Sequence, residues 1–153
     1  MKTHENFQPI MAKIFFDLFI IERSLANLFD SVYTKHGLTT KQWLVLAVAT
    51  NIDRPTIQNI SKALNTSHQN VKAISLNLEG SGFVNLVNDP SDKRSTLVIA
   101  TKKQETLNQE RGKNDEDNMA LLFGEFDKSE KDRLSEYIDR LQSRIINIKG
   151  QMK

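Results

Sequence analysis

The sequence predicts a mainly α-helical fold with a single β-hairpin, in the element order ααααββαα. Apolar residues recur at alternating spacings of four and three near both ends of the chain, which is the period of one helix face. Two short β-prone runs, 83–87 and 96–100, flank a polar segment, and this pattern is typical of a hairpin. Only six Gly and three Pro occur in 153 residues, which favours a helical fold with few turns.

Composition narrows the classes of protein to which the chain can belong. Its length suits one domain, and 39% hydrophobic with 26% charged residues argues against global disorder. The absence of Cys excludes disulfides, zinc–thiolate sites and iron–sulfur clusters. No apolar run is long enough for a membrane span or a signal-peptide core. We therefore expect a soluble cytoplasmic protein with no membrane partner.

The formal net charge of +2 is unevenly distributed along the chain. Residues 54–103 carry seven basic and three acidic side chains, whereas the flanking segments are neutral or acidic. A basic centre suits a polyanionic partner such as nucleic acid, although ordinary scatter of charge explains it as well.

Long apolar seams characterise the first and last predicted helices. The first seam starts at Phe7 and is followed by Gly37, a residue that favours helix termination. The last helix is expected to follow a cap at Ser129 and to carry five seam residues, Leu134, Ile138, Leu141, Ile145 and Ile148. Such seams suit an intermolecular interface and an intramolecular core equally, so spacing alone does not establish self-association.

Short helices with recognisable caps are predicted in the centre of the chain. Thr39 and Gln42 fit a capping box at the start of the second helix, and Thr56 begins the third. Asn65 suits a tight turn because it tolerates left-handed backbone. Thr66 is then expected to cap a fourth helix, over residues 66–78.

Two short helices joined by a tight turn and followed by a hairpin make a winged helix-turn-helix. The N-terminal residues of such a second helix reach base edges in the major groove of DNA. Here that turn, Thr66–Asn70, is polar, and Lys72 and Ser75 follow it. A capped, solvated surface helix is the alternative, because capping by itself explains Thr66.

The hairpin loop supplies a second candidate contact with DNA. Residues 88–95 form a polar segment longer than a tight turn, so its tip is expected to project. Arg94 on this tip suits a narrow minor groove, and a neighbouring Asp suits a planar contact with the guanidinium. A charged surface loop with one local ion pair is the alternative.

These residues carry a resemblance to a known family. Leu78-Glu79-Gly80-Ser81-Gly82-Phe83-Val84, then Asp89-Pro90-Ser91-Asp92-Lys93-Arg94, then Thr101, resemble the MarR family of bacterial transcription regulators. Leu38-Thr39, Gln42-Trp43 and Leu46 are similar to the opening of that family's second helix. The D-x-x-D-x-R spacing is the most specific element. The resemblance implies that Asp92 orients Arg94, which enters the minor groove.

The resemblance also assigns residues to functional surfaces. On the fourth helix, over residues 66–78, which is the recognition helix of this fold, the implied DNA contacts are Thr66, Ser67, His68, Gln69, Asn70, Lys72, Ala73 and Ser75. On the wing the resemblance implies contacts from Asp89, Ser91, Asp92, Lys93, Arg94 and Ser95. For self-association it implies Phe7, Met11, Ile14, Leu134, Ile138, Leu141, Ile145 and Ile148.

The function implied is that of a homodimeric regulator, a repressor that binds a palindromic operator on double-stranded DNA and is released by a small molecule. The implied organisation is one domain over 1–153, in which 36–101 form the winged lobe and 1–35 with 102–153 form the dimerisation region. The alternative is a helical protein-interaction module that has lost DNA binding. Ala73, Leu86 and Val87 favour this alternative, since family members often carry basic residues at the matching positions.

Catalysis and cofactor binding find no support in the sequence. None of His4, His36 and His68 has a metal-type spacing to another ligand, and no phosphate loop or nucleophile motif occurs. We therefore predict no cofactor, no metal and no enzymatic activity. A possible effector pocket would be lined by the aromatic residues Phe15, Phe19, Phe29 and Trp43. A plain hydrophobic core is the favoured interpretation, because large aromatic side chains most often fill cores.

Overall fold

The computed structural model describes residues 9–152 and confirms the predicted element order. The helices are α1 (Pro9–Tyr33), α2 (Thr40–Asn51), α3 (Ile57–Ala63), α4 (His68–Gly80), α5 (Lys102–Phe123) and α6 (Lys128–Gln151), with a 3-10 turn at Thr34–His36. The antiparallel strands are β1 (Val84–Asp89) and β2 (Asp92–Ala100). No helix within this described range is long and apolar enough to cross a membrane.

The chain divides into two compact units, with the boundary between Glu105 and Thr106, inside α5. The first unit contains α1 together with the winged lobe, and the second contains most of α5 and all of α6. The grouping of residues 1–35 with 102–153 as a dimerisation region therefore stays a prediction.

Local signals placed most of the helix ends correctly. The capping box of Thr39 and Gln42 is present, and Gly37 adopts the left-handed conformation, with φ 74°, that ends the first helical segment. Asp30 of α1 also fixes the start of α2, because its carboxylate accepts hydrogen bonds from the hydroxyl and N–H of Thr40. These two bonds lower the pKa of Asp30, the hydroxyl contributing more.

Two predicted caps were wrong by one or two residues. Ser67, and not Thr66, caps α4, since its Oγ accepts from the N–H of Asn70 at 3.1 Å. Asp127, and not Ser129, caps α6, in a reciprocal capping box with Glu130. In both cases a neighbouring residue with a suitable side-chain oxygen occupies the extended backbone position that a cap requires.

The hairpin loop is shorter than the sequence predicted. The strands pair as far as Asp89 and Asp92, so only Pro90 and Ser91 form the turn. The register shifts near this end: Asn88 faces Thr96, while Asp89 faces Asp92. Residues 93–95 therefore have no counterpart on β1 and form a bulge, which displaces them from the regular ladder. This bulge, rather than a long loop, presents Arg94.

The core of the first unit lies under α4 and the sheet. Its fully buried members include Leu46, Ile60, Val71, Leu78 and Val98. Their burial fixes the inner face of α4, and hence which of its residues point away from the core.

Aromatic residues of α1 and α2 fall into two groups. Phe29, Tyr33 and Trp43 stack with ring centroids 5.1–5.8 Å apart, which supports the core interpretation for these side chains. Phe15 and Phe19 are 56% and 61% exposed, so they do not join this stack.

Candidate nucleic-acid interface

The recognition helix, α4, exposes several polar side chains at its N-terminal end. Of the predicted contacts, six are exposed: Ser67, His68, Gln69, Asn70, Lys72 and Ala73. Thr66 is half-buried, and its hydroxyl accepts a hydrogen bond from the side-chain amide of Asn70 at 3.0 Å. This local bond and the Ser67 cap order the first turn.

Ser75 corrects the predicted contact surface. Its side chain is fully buried, in line with Val71 and Leu78 at spacings of four and three. Ser75 therefore lies on the core face of α4 and cannot touch DNA from there. The spacing was visible in the sequence, but the polarity of Ser75 concealed it.

The wing bulge is organised by Asp92. Its carboxylate accepts hydrogen bonds from the Ser95 hydroxyl at 2.8 Å and from the Arg94 N–H at 3.1 Å. The bond from Ser95 and then that from Arg94 lower the pKa of Asp92. Asp92 therefore binds the backbone N–H of Arg94. This corrects the prediction that Asp92 contacts the guanidinium of Arg94. The side chains of Lys93 and Arg94 remain exposed.

Asp89 has a structural position at the base of the wing. It is 3% exposed, and one carboxylate oxygen accepts from Nε and Nη2 of Arg54 at 2.7 and 2.6 Å. The other oxygen accepts from the hydroxyl and N–H of Ser91 at 2.6 and 2.8 Å. The Ser91 hydroxyl, the Ser91 N–H and Arg54 together lower the pKa of Asp89 to about 2. Asp89 and Ser91 thus bond each other, which corrects the assignment of Asp89 to DNA contact.

Arg54 was missed by the sequence reasoning. It lies in the loop between α2 and α3, and its side chain remains half exposed although it pairs with Asp89. The only signal was its place at the start of the basic central segment.

We expect Asp89→Asn to destabilise the fold in a pH-dependent manner. Because the pKa of Asp89 in the folded state, about 2, lies below the ordinary 3.8, its charge stabilises the fold above about pH 4. That contribution is lost as the pH falls from about 4 towards 2. Urea unfolding should therefore show a gap in unfolding free energy between wild type and variant that is constant above about pH 4 and narrows below it.

Asp53→Asn provides the matched control, since Asp53 is an exposed carboxylate in the same loop as Arg54. A gap of equal size for Asp53→Asn, or a gap for Asp89→Asn that does not change with pH, contradicts this account of Asp89.

A cleft of about 180 Å³ separates the N-terminal end of α4 from the wing bulge. Its lining brings together His68 and Lys72 of α4 with Arg94, and none of the lining residues is acidic. The remaining lining residues are Thr56, Ile57, Gln58, Ser95 and Thr96. Sequence reasoning did not find the contribution of α3, because only the tertiary fold places Gln58 beside His68. Such a concentration of cationic and hydrogen-bonding groups suits a phosphate-bearing partner.

A metal ion needs a group of ligand side chains that lie close together. Among residues 9–152, no group of three or more His, Asp or Glu side chains is placed to hold a metal ion.

Fold and site together define the class of a winged helix-turn-helix protein, with an exposed recognition helix beside a basic wing. Residues 38–96 match the sequence model of the MarR family. This match lies within the winged lobe of the chain. Members of the MarR family are transcriptional regulators rather than enzymes, which agrees with the class predicted from the sequence.

One curated relative is the transcriptional activatory protein BadR of Rhodopseudomonas palustris. It is 33% identical over 96 residues, which are 59% of this chain and 53% of BadR. The chain therefore matches about half the length of this relative.

Solved structures share the fold at low sequence identity. A MarR/EmrR family regulator from Acinetobacter sp. ADP1 matches with a TM-score of 0.81 and 19% identity, over 92% of this chain and 99% of that one. The S. aureus MepR–DNA complex matches with a TM-score of 0.73 and 18% identity, over 84% and 93% of the two chains. Bordetella bronchiseptica BpsR, whose DNA binding is regulated by 6-hydroxynicotinic acid, matches with a TM-score of 0.71 and 18% identity, over 85% and 98%.

Proposed function

We propose that this chain is a sequence-specific regulator that binds double-stranded DNA as a homodimer in the cytoplasm. The observation that carries the proposal is the cleft whose lining brings together His68, Lys72 and Arg94 and contains no acidic residue. The side chains of Lys72 and Arg94 neutralise backbone phosphates, and the exposed residues of α4 beside them can meet base edges.

The proposed docking places α4 in the major groove and Arg94 in the flanking minor groove. Gln69 and Asn70 carry amide groups that suit adenine, while Lys72 suits guanine or phosphate. The guanidinium of Arg94 suits a narrow minor groove, where the negative potential is greatest. The match to the family model and the fold shared with the MepR–DNA complex support this arrangement.

Self-association is proposed from the exposed apolar seams of α1 and α6. On α1, Met11 and Ile14 are 49% and 50% exposed. On α6, Leu134 is half-buried, and the exposed seam residues are Ile138, Leu141, Ile145 and Ile148. Phe7 lies outside the described residues. A second copy removes these apolar side chains from water, and the two recognition helices of a dimer then read half-sites about 34 Å apart on a palindromic operator.

Repression, with release by a small molecule, is the proposed mode of regulation. A dimer bound across a promoter excludes RNA polymerase, whereas the relative BadR is an activator. The regulation of BpsR by 6-hydroxynicotinic acid supports control by an effector. Transcription in vitro, with the operator placed over or upstream of the promoter, tests whether the protein represses or activates. Loss of operator binding on addition of aromatic acids tests whether a small molecule releases the protein from DNA.

The decisive experiment is selection of bound duplexes from a random pool, followed by affinity measurements at two salt concentrations. Binding through phosphates must fall steeply with salt, because bound counterions are released. Enrichment of a palindrome with a steep salt dependence supports the proposal, and no enrichment with salt-independent binding contradicts it.

We expect Gln69→Ala to weaken operator binding by about 1–3 kcal/mol per contacted base pair, through loss of a paired hydrogen bond to a base. Gln69 is exposed, so the fold should persist. Titration against duplexes changed one base pair at a time should show the loss at a single position of each half-site. A loss that is equal for all sequences contradicts base readout and indicates a phosphate contact instead.

A protein-interaction module of the same fold is the second candidate. It is favoured by exposed apolar side chains on the outer face of the wing, where Val87 and Ile99 are 41% and 39% exposed. The same selection separates the two candidates, because a module that has lost DNA binding enriches no duplex.

A further inference from the structure

The outermost face of α4 carries an apolar strip that the predicted contacts do not explain. Successive helix residues are about 100° apart, so Gln69, Ala73 and Leu76 lie within about 60° of one another. Val71 and Leu78 are fully buried on the opposite side. Leu76 is 51% exposed and Ala73 is exposed, so two of the three most outward side chains are apolar.

Basic groups border this strip, which favours a polyanionic occupant. Lys72 lies beside it on α4, and the cleft with His68 and Arg94 adjoins the same helix end. The nearest acidic side chain along α4, that of Glu79, is engaged in the fold, because its Oε1 accepts from the Leu86 N–H at 2.8 Å. An apolar strip within such a surface needs a partner that is anionic overall and presents apolar groups locally.

DNA provides one such group in the major groove, the 5-methyl group of thymine. We propose that Ala73 and Leu76 contact thymine methyl groups and so select T·A pairs within the half-site. The proposal rests on the function proposed above and names the base chemistry that the recognition helix reads. One helix turn rises 5.4 Å, whereas one base pair rises 3.4 Å. The methyl group that Ala73 contacts therefore lies about one or two base pairs from the base that Gln69 contacts. The methyl group that Leu76 contacts lies about one base pair further.

The test uses a duplex selected from the random pool, in which each dT is replaced in turn by dU. This exchange removes only the methyl group and leaves the base-pairing edge intact. Burial of one methyl contributes roughly a fourfold change in affinity, so we expect about fourfold weaker binding at one or two positions of each half-site. Exchanges outside the protein-covered region should leave the affinity unchanged.

Protein variants assign each sensitive position to a side chain. Leu76→Ala should abolish the dU effect at one position, and Ala73→Gly should reduce it at a neighbouring position. Val87→Ala is the matched control, because it truncates an exposed apolar residue that lies on the wing instead of on α4. Circular dichroism checks that each variant keeps its helix content.

The outcomes separate this inference from the proposed function. Tight, salt-dependent binding in which every dU is neutral overturns the methyl contacts and leaves DNA binding intact. The methyl contacts are also overturned if dU sensitivity persists unchanged in both α4 variants. They are overturned as well if Leu76→Ala leaves operator affinity unaltered, which is the result expected when a protein partner, and not DNA, covers the strip. Failure to enrich any duplex overturns the proposed function and this inference together.

Discussion

Replacing Arg94 by Ala is expected to weaken operator binding by at least about 100-fold in a dimer. Each subunit loses a charge-assisted contact in the minor groove, and hydrogen bonds to charged groups contribute about 1.5–3 kcal/mol each. The loss should be largest for operators with A·T-rich flanks, where the narrow minor groove strengthens the potential that attracts the guanidinium. Fluorescence anisotropy with A·T and G·C flanks measures both quantities.

Lys93→Ala is the matched control for this substitution. Lys93 is an exposed cation on the same bulge, but it does not line the cleft. Its removal should weaken binding less and without dependence on the flank. Arg94→Lys separates charge from geometry, since Lys keeps the charge but lacks the planar fork. Equal operator affinity for Arg94→Ala and wild type removes Arg94 from the mechanism.

A charge placed on the apolar seam of α6 is expected to have an effect of similar size or larger. Ile145 is 48% exposed in the single chain, so Ile145→Asp is compatible with the monomer fold but buries an unpaired carboxylate in a dimer. Sedimentation should show a shift from dimer to monomer. Operator affinity should fall by at least about 100-fold, because a single recognition helix forfeits the advantage of two linked half-sites.

The control for the dimer experiment is Ser143→Asp, which adds the same charge to an exposed position about 160° around the helix from Ile145. This variant should remain dimeric and bind the operator. If Ile145→Asp also remains a dimer with unchanged affinity, or if wild type is monomeric at concentrations that saturate DNA, the proposed interface is wrong.

Local sequence signals predicted much of the fold because they depend on near neighbours. A capping box such as Thr39 with Gln42 needs two residues three positions apart, and Asn65 adopts the expected left-handed backbone, with φ 48°. The polar middle of α5 is also part of one continuous helix. The misplaced caps show the limit of such signals, since Thr66 and Ser67 offer equivalent hydroxyls and only the backbone path selects one.

By itself, the sequence determined the element order, the exposed polar start of the recognition helix and the motif that marks the wing. Tertiary structure alone decided that Asp89 pairs with Arg54 and that α3 helps to build the basic cleft. The Arg54–Asp89 contact joins residues 35 positions apart. Such contacts depend on how separate elements pack, and no local pattern of charge or polarity encodes that packing.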